Sequence, residues 1–181
     1  MARPKVYDPA VLGAQMRDVF WQKGYEGTSL SDLVAATGVR SGSLHAGFGQ
    51  KSALFAAALD AYDEAFLGAM DVEGRGRDRL RHYIDLLHNR VTTDPAKRGC
   101  FVIASASEID RHTDENREAI QSRIRRMQMY IENAMEEDGV RDPDASAAFL
   151  GAVVSLLTLA RCNVDTAILR GIRDEAKRRL G

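Results

Sequence analysis

The chain has 181 residues, of which 45% are hydrophobic and 28% charged, and its formal net charge is −1. A near-neutral chain excludes a whole-molecule electrostatic attraction to nucleic acid, and two cysteines are too few for a disulfide framework. The charge is unevenly placed, because residues 1–51 carry a net +2 and the remainder a net −3. This asymmetry alone is weak evidence that the N-terminal part meets a polyanion.

The apolar stretches are too short or too far along the chain for targeting or insertion. No apolar run lies near the N-terminus, so we expect no secretory signal. The longest uncharged run, Ala145 to Ala160, is shorter than the ~20 residues that a membrane span needs. We therefore expect a soluble, cytoplasmic protein with no membrane partner.

Capping residues predict where the first two helices begin and end. Asp8-Pro9 predicts a helix start, and Gly24 predicts its end. Ser29 and Asp32 have the spacing of a capping box, which predicts a second helix from the next apolar position.

Two short helices, 30–37 and 42–48, are predicted on either side of Gly38. A tight glycine turn between two short helices is the layout of a helix-turn-helix. We expect Ser41 to cap the second helix, whose apolar residues pack inward while its polar side faces out. Short hydroxyl donors and a long cation on that side can reach phosphates and base edges. The residues of the polar side are Arg40, Ser41, Ser43 and His45.

A phosphate-binding loop is the alternative interpretation of this glycine-rich segment. Such a loop follows a buried strand and ends in Gly-Lys-Ser/Thr. Here Gln50-Lys51-Ser52 lacks the glycine, and the pattern predicts no strand before it. The nucleotide-binding interpretation is therefore disfavoured.

The rest of the chain continues in helical patterns. Helices are predicted from Lys51 to about 70, at 78–91, from Thr113 to Gly139, after Asp142-Pro143 and at about 165–180. The uncharged run 100–109 fits a short buried helix or a strand. The prediction is an all-α fold of about nine helices, with a helix-turn-helix domain at 1–50 and a second helical domain at 51–181.

The segment from Gly24 to Leu59 resembles the DNA-binding region of TetR-family transcriptional regulators. It carries Gly-Tyr at 24–25, Thr-Ser at 28–29, Gly-Val at 38–39, Gly-Ser-Leu at 42–44 and a lysine followed by Ala-Leu-Phe at 51–55. The resemblance implies a homodimer that binds double-stranded DNA at a palindromic operator and responds to a small-molecule effector. It assigns DNA contacts to Thr28, Ser29, Val39, Arg40, Ser41, Gly42, Ser43, His45 and Lys51.

The segment departs from the family's pattern at Val34, His45, Ala46 and Gly47. His45 stands where the family usually has tyrosine, and Gly47 within so short a helix costs about 1 kcal/mol relative to alanine. Three hypotheses therefore stay open: a ligand-responsive DNA-binding regulator, most simply a repressor; a helical dimer module that has lost DNA binding; and, least favoured, a small enzyme. The pattern shows no catalytic residues and predicts no cofactor and no metal site.

The segment 97–109 resembles a subgroup with Arg-Gly-Cys in its ligand-binding domain, some members of which sense electrophiles, oxidants or metal through the cysteine. Cys100 follows Lys97 and Arg98 and lies at a predicted helix start, both of which favour a reactive thiolate. The alternative is a small buried side chain, which is how Cys162 is interpreted.

The last two long helices are expected to form the dimer interface, because the helix after Pro143 is apolar on nearly all sides. Helical periodicity also predicts side chains that face into the body and line an effector or sensor site, with plain core as the alternative. They are Tyr62, Phe66, Tyr83, Leu87, Cys100, Ile103, Met127 and Tyr130.

Overall fold

The computed structural model describes residues 8–70 and 72–181, with the backbone alone at 66–70. Over this part of the chain the protein is all-helical, as predicted. The helices are α1 Pro9–Lys23, α2 Leu30–Thr37, α3 Ser41–Phe48, α4 Lys51–Met70, α5 Gly76–Thr93, α6 Phe101–Ala106, α7 Asp114–Glu136, α8 Pro143–Arg161 and α9 Thr166–Arg179, with a 3₁₀ turn, Ile109–Arg111, before α7.

The helix starts follow the capping signals in the sequence. The Asp8 carboxylate accepts from the Ala10 amide at 2.9 Å, and Ser29 and Asp32 form the reciprocal capping box that opens α2. Thr113 and Asp142 cap α7 and α8 in the same way. Each such cap stabilises its helix by about 1 kcal/mol.

Three local predictions were wrong. Arg40, not Ser41, is the N-cap of α3, and its side chain makes no capping hydrogen bond. Helix α7 ends at Glu136 rather than at Gly139. Cys162, expected in the core, is exposed. The open question at 100–109 is resolved as a helix, α6.

A short core holds α1, α2 and α3 together. Leu33 and Leu44 are buried on facing helices, and Val39 is buried in the turn between them. Gly38 takes the left-handed conformation, φ 66°, that this turn requires. Because Leu44 packs inward against α2, the polar side of α3 faces outward.

An aromatic cluster joins these helices to the body. Phe55 of α4 is fully buried, and its ring lies 5.3 Å from Phe20 of α1 and 5.5 Å from Phe101 of α6, between centroids. His112 lies between Phe55 and Tyr25, at 4.5 Å and 4.3 Å. Residues from α1, α4, α6 and the segment before α7 thus share one core.

Helices α5, α7, α8 and α9 form the body. Helix α8 has the length and hydropathy of a membrane span, but it buries Phe149, Val153 and Leu156 in this core. Its other apolar side and α9 border an open groove of about 530 Å³, in which Ile168 is half exposed. An apolar groove of this kind on two adjacent helices suits contact with another apolar surface.

His112 makes folding stability depend on pH. It is buried, neither ring nitrogen makes a well-aligned hydrogen bond to the described residues, and burial lowers its pKa although Glu108 and Glu26 oppose the shift and Arg117 supports it. The unfolded chain then binds a proton at a higher pH than the folded chain does, so the free energy of unfolding falls as pH drops below about 6.5.

The variant His112→Phe keeps the ring packing and removes the titration. We expect its free energy of unfolding, measured by urea denaturation between neutral pH and pH 5, to decline less steeply than that of the wild type. An equally steep decline in both proteins would contradict this role for His112.

Candidate nucleic-acid interface and sensor cysteine

The outward side of α3 is polar and open. Arg40, Ser41, Ser43 and His45 are all exposed, and Gly42 adds exposed backbone among them. Gly42 and Gly47 have no side chain, and apart from their chain neighbours and the backbone of their own helix, no atom of the described residues lies within 4 Å of the point where their Cβ atoms would stand. This side of the helix therefore presents hydroxyl donors and one guanidinium on a surface that a DNA groove can approach closely.

His45 already uses one ring nitrogen. Its Nδ1 lies 2.8 Å from the carbonyl oxygen of Gly49, so Nδ1 carries a proton and donates there. The neutral ring then has no proton on Nε2. A hydrogen bond from His45 to a phosphate consequently requires the imidazolium form.

Lys51 begins α4 beside the turn that precedes α2. Its Nζ lies 4.7 Å from the centre of the Tyr25 ring and 3.4 Å from the carbonyl oxygen of Glu26. Its ammonium is thus near the surface that carries α3. A phosphate contact by Lys51 stays a prediction.

Two predicted DNA contacts do not match the positions of their side chains. Thr28 is 1% exposed, and its hydroxyl donates to the carbonyl of Gly24 at 2.7 Å. Val39 is also 1% exposed, because it packs between α2 and α3. Their side chains pack within the N-terminal helices and do not face outward. Ser29 is exposed, but its hydroxyl is engaged with Asp32 at the start of α2.

Cys100 is the N-cap of α6 and is buried at 6% exposure. The hydroxyl of Tyr62 donates to its sulfur at 3.1 Å, which brings together two residues that the sequence placed in one site. Burial, and then the nearby cysteine, raises the pKa of Tyr62 well above 10, so this hydroxyl stays a donor. A thiolate formed on Cys100 would therefore have a hydrogen-bond donor.

Arg98 does not play the part that the sequence suggested. Its guanidinium lies 4.7 Å from the centre of the Trp21 ring and forms ion pairs with Asp94 and Asp18, both at 3.4 Å. The charge of Arg98 is thus balanced by these two carboxylates. The structure gives no support to Arg98 as the partner of the thiol.

The other predicted effector residues fall into two groups. Tyr62, Tyr83 and Leu87 are buried in the core, and burial raises the pKa of Tyr83. Tyr130 and Met127 are partly buried on α7, with the Tyr130 ring 5.2 Å from that of Tyr83. The side chain of Phe66 lies outside the described residues.

A cavity of about 430 Å³ reaches Cys100 and Ile103. It lies between the C-terminal ends of α1 and α8 on one side and α6 with the residues that follow it on the other, and no sequence pattern marks it. Glu108 and Arg161 also line it, and neither was singled out because each is far along the chain from α1. Among the described residues, no group of three or more His, Cys, Asp or Glu side chains could hold a metal ion.

Comparison with known proteins gives two family matches. Residues 15–58 match the family described as bacterial regulatory proteins, tetR family, and residues 76–169 match the tetracyclin repressor-like C-terminal domain. The first match runs past residue 50 into α4. The domain boundary at 50/51 therefore stays a prediction.

Individual relatives agree with these matches. The chain is 35% identical over 127 residues to the HTH-type transcriptional repressor ComR of Escherichia coli (strain K12), covering 67% of this chain and 60% of ComR. It is 31% identical over 119 residues to the uncharacterized HTH-type transcriptional regulator YezE of Bacillus subtilis (strain 168), covering 64% of this chain and 61% of YezE. The matched stretch thus spans less than two thirds of either relative.

A solved structure matches nearly the whole length. A cysteine mutant of the TetR family transcriptional regulator CifR, complexed with 26-bp double-strand operator DNA, superposes with a TM-score of 0.80 at 26% identity, over 97% of this chain and 98% of that one. With the C-terminal family match covering about half of the residues, these findings agree with the resemblance in the sequence. The chain belongs to the TetR family of bacterial regulatory proteins.

Proposed function

We propose that this chain is a cytoplasmic, DNA-binding transcriptional regulator, and specifically a repressor that binds a palindromic operator as a homodimer. The observation that carries the proposal is the exposed polar side of α3, held outward by the buried Leu33, Val39 and Leu44. ComR is named as a transcriptional repressor and the CifR structure contains operator DNA, which supports the same function here. The proposal assigns no catalytic step to any residue.

The homodimer is supported by the groove on α8 and α9. Small and apolar side chains line it, including Ala148, Ala152 and Ile168. A two-fold dimer places the same surface of each copy against the other, so one apolar groove is covered by its counterpart. Two α3 helices in such a dimer would read half-sites separated by whole turns of the duplex, about 34–36 Å each.

The effector is proposed to act on the body. A repressor releases its operator when the effector binds better to the dimer in which the α3 helices are wrongly spaced. Cys100 is the proposed sensor of an electrophile, because it combines a cavity that reaches the residue with a hydroxyl donor at the sulfur. The buried and partly buried side chains around it, among them Tyr62, Tyr83 and Tyr130, are proposed to shape the rest of the site.

The DNA proposal is tested by replacing Arg40 with alanine. Arg40 contributes an exposed cation at the start of α3, and loss of a base or phosphate contact should lower operator affinity by about tenfold or more. Fluorescence anisotropy with operator DNA at several salt concentrations measures this. If Arg40 contacts a phosphate, the salt dependence of the affinity becomes shallower by about one unit in slope.

Arg125→Ala is the matched control, since Arg125 is an exposed arginine on α7 whose ion pair is with the exposed Glu118. Its operator affinity should stay within twofold of the wild type. Equal affinities for the Arg40 and Arg125 variants and the wild type would contradict the assignment of α3. Absence of salt-sensitive binding in the wild type would favour the dimer module that has lost DNA binding.

The sensor proposal is tested by alkylation with N-ethylmaleimide. Cys162 is exposed and will react, so the experiment uses Cys162→Ser to isolate Cys100. We expect modification of Cys100 in this variant, verified by mass spectrometry, to weaken operator binding at least tenfold, because the adduct displaces side chains packed around the buried sulfur. The double variant with Cys100→Ser should keep its affinity under the same treatment.

Full modification of Cys100 with unchanged operator binding would contradict the sensor role. A Cys100 that stays unmodified in the folded protein would assign it to the core.

A further inference from the structure

The cavity of about 430 Å³ touches both functional parts of the molecule. Phe20 and Trp21 of α1, Phe101 of α6 and Leu157 of α8 supply apolar side chains to its lining. Its volume lies in the range of small-molecule sites, about 300–1,000 Å³. An occupant would therefore contact the body and the helix that carries the DNA-reading unit at the same time.

Arg161 supplies a positioned cation at this cavity. One terminal nitrogen of its guanidinium donates to the carbonyl of Trp21 at 2.9 Å and to the carbonyl of Arg98 at 3.3 Å. These carbonyls hold the side chain without neutralising it, and no carboxylate of the described residues lies within 4 Å of it. The remaining N–H groups have the geometry that binds a carboxylate.

The other charged residues of the cavity are already engaged. Lys23 forms an ion pair with Asp32 at 2.5 Å. Glu108 accepts from the backbone N–H of Tyr25 at 2.7 Å and from that of Glu26 at 3.4 Å. Among the described residues that line the cavity, Glu108 and Arg161 are therefore the charges without an ion pair, and of these two only Arg161 can bind an anion.

Glu108 connects the cavity to the turn between α1 and α2. It is 83 positions from Tyr25 in the chain, yet its carboxylate holds the first amides after Gly24. That turn leads directly into α2, so its position sets the orientation of α2 and α3. A negative charge entering the cavity repels the Glu108 carboxylate and weakens this hold.

We propose that this cavity is an effector site for a small amphipathic monoanion, a carboxylate on a single ring or a short hydrocarbon chain. Arg161 binds the carboxylate, the apolar walls contact the ring or chain, and Glu108 acts as a positioning residue that transmits occupancy to the α1–α2 turn. The binding step stands independently of the proposed function, whereas the release of DNA rests on it.

The binding step is tested by calorimetry on the full chain without DNA. The probes are benzoate, hexanoate, the uncharged benzamide and the cationic benzamidine. We expect benzoate or hexanoate to bind in the millimolar range or tighter, and benzoate at least tenfold tighter than benzamide or benzamidine. The variant Arg161→Gln should lose at least tenfold in benzoate affinity, Arg161→Lys should retain most of it, and the control Arg125→Gln should match the wild type.

Three results would overturn the site: no binding of either carboxylate up to tens of millimolar, binding of benzamide or benzamidine as tight as that of benzoate, or unchanged benzoate binding in a folded Arg161→Gln protein. Circular dichroism and the unfolding midpoint establish that the variants are folded. Tryptophan fluorescence of Trp21, which lines the cavity, gives a second readout of occupancy.

The coupling step is tested with Glu108→Gln, which keeps an acceptor for the Tyr25 amide and removes the charge. Benzoate should bind this variant at least as tightly as the wild type, yet release operator DNA at least tenfold less effectively. Equal release by both proteins would overturn the role of Glu108. If the wild type binds benzoate but no DNA, the proposed regulator function fails while the cavity assignment stands.

Discussion

The ring of Phe55 lies at the point where the two functional parts of this protein meet. It is fully buried and contacts rings from α1, from α6 and from the segment before α7. Edge-to-face and tilted packing of this kind adds about 0.5–1.5 kcal/mol per ring pair beyond area burial. Because α4 carries Phe55 and also begins next to α3, these packed rings connect α6 to the N-terminal helices.

The position of α3 therefore follows from contacts made far from its polar surface. Helix α3 packs on α2 and α4, and the turn before α2 is held by Tyr25, which packs on Phe55 and His112 and donates its amide to Glu108. Packed interfaces change between discrete arrangements and do not deform continuously. In the proposed regulator, an effector that alters α6 or Glu108 would change the spacing of two α3 helices, and duplex geometry tolerates few spacings.

The helices could be predicted from the sequence, but the contacts between distant segments could not. The caps at Asp8, Ser29 and Thr113 and the Gly38 turn are local signals, so the helix starts and the turn were predictable. The exposure of individual side chains was harder to predict than the helix starts. The family motif places Thr28 and Val39 near DNA, whereas packing buries both side chains.

Contacts between distant segments leave no periodic signal. The hydrogen bond between Glu108 and Tyr25 links residues 83 positions apart, and that between Arg161 and Trp21 links residues 140 positions apart. Arg98, which the sequence placed near the Cys100 thiol, instead forms an ion pair with Asp18. We propose that α3 reads DNA as one of a symmetric pair. Selection of bound duplexes from a random-sequence pool by the full chain tests it most directly. The account predicts enrichment of a palindrome whose half-site centres are separated by whole helical turns; a pool that stays random after repeated rounds would contradict it.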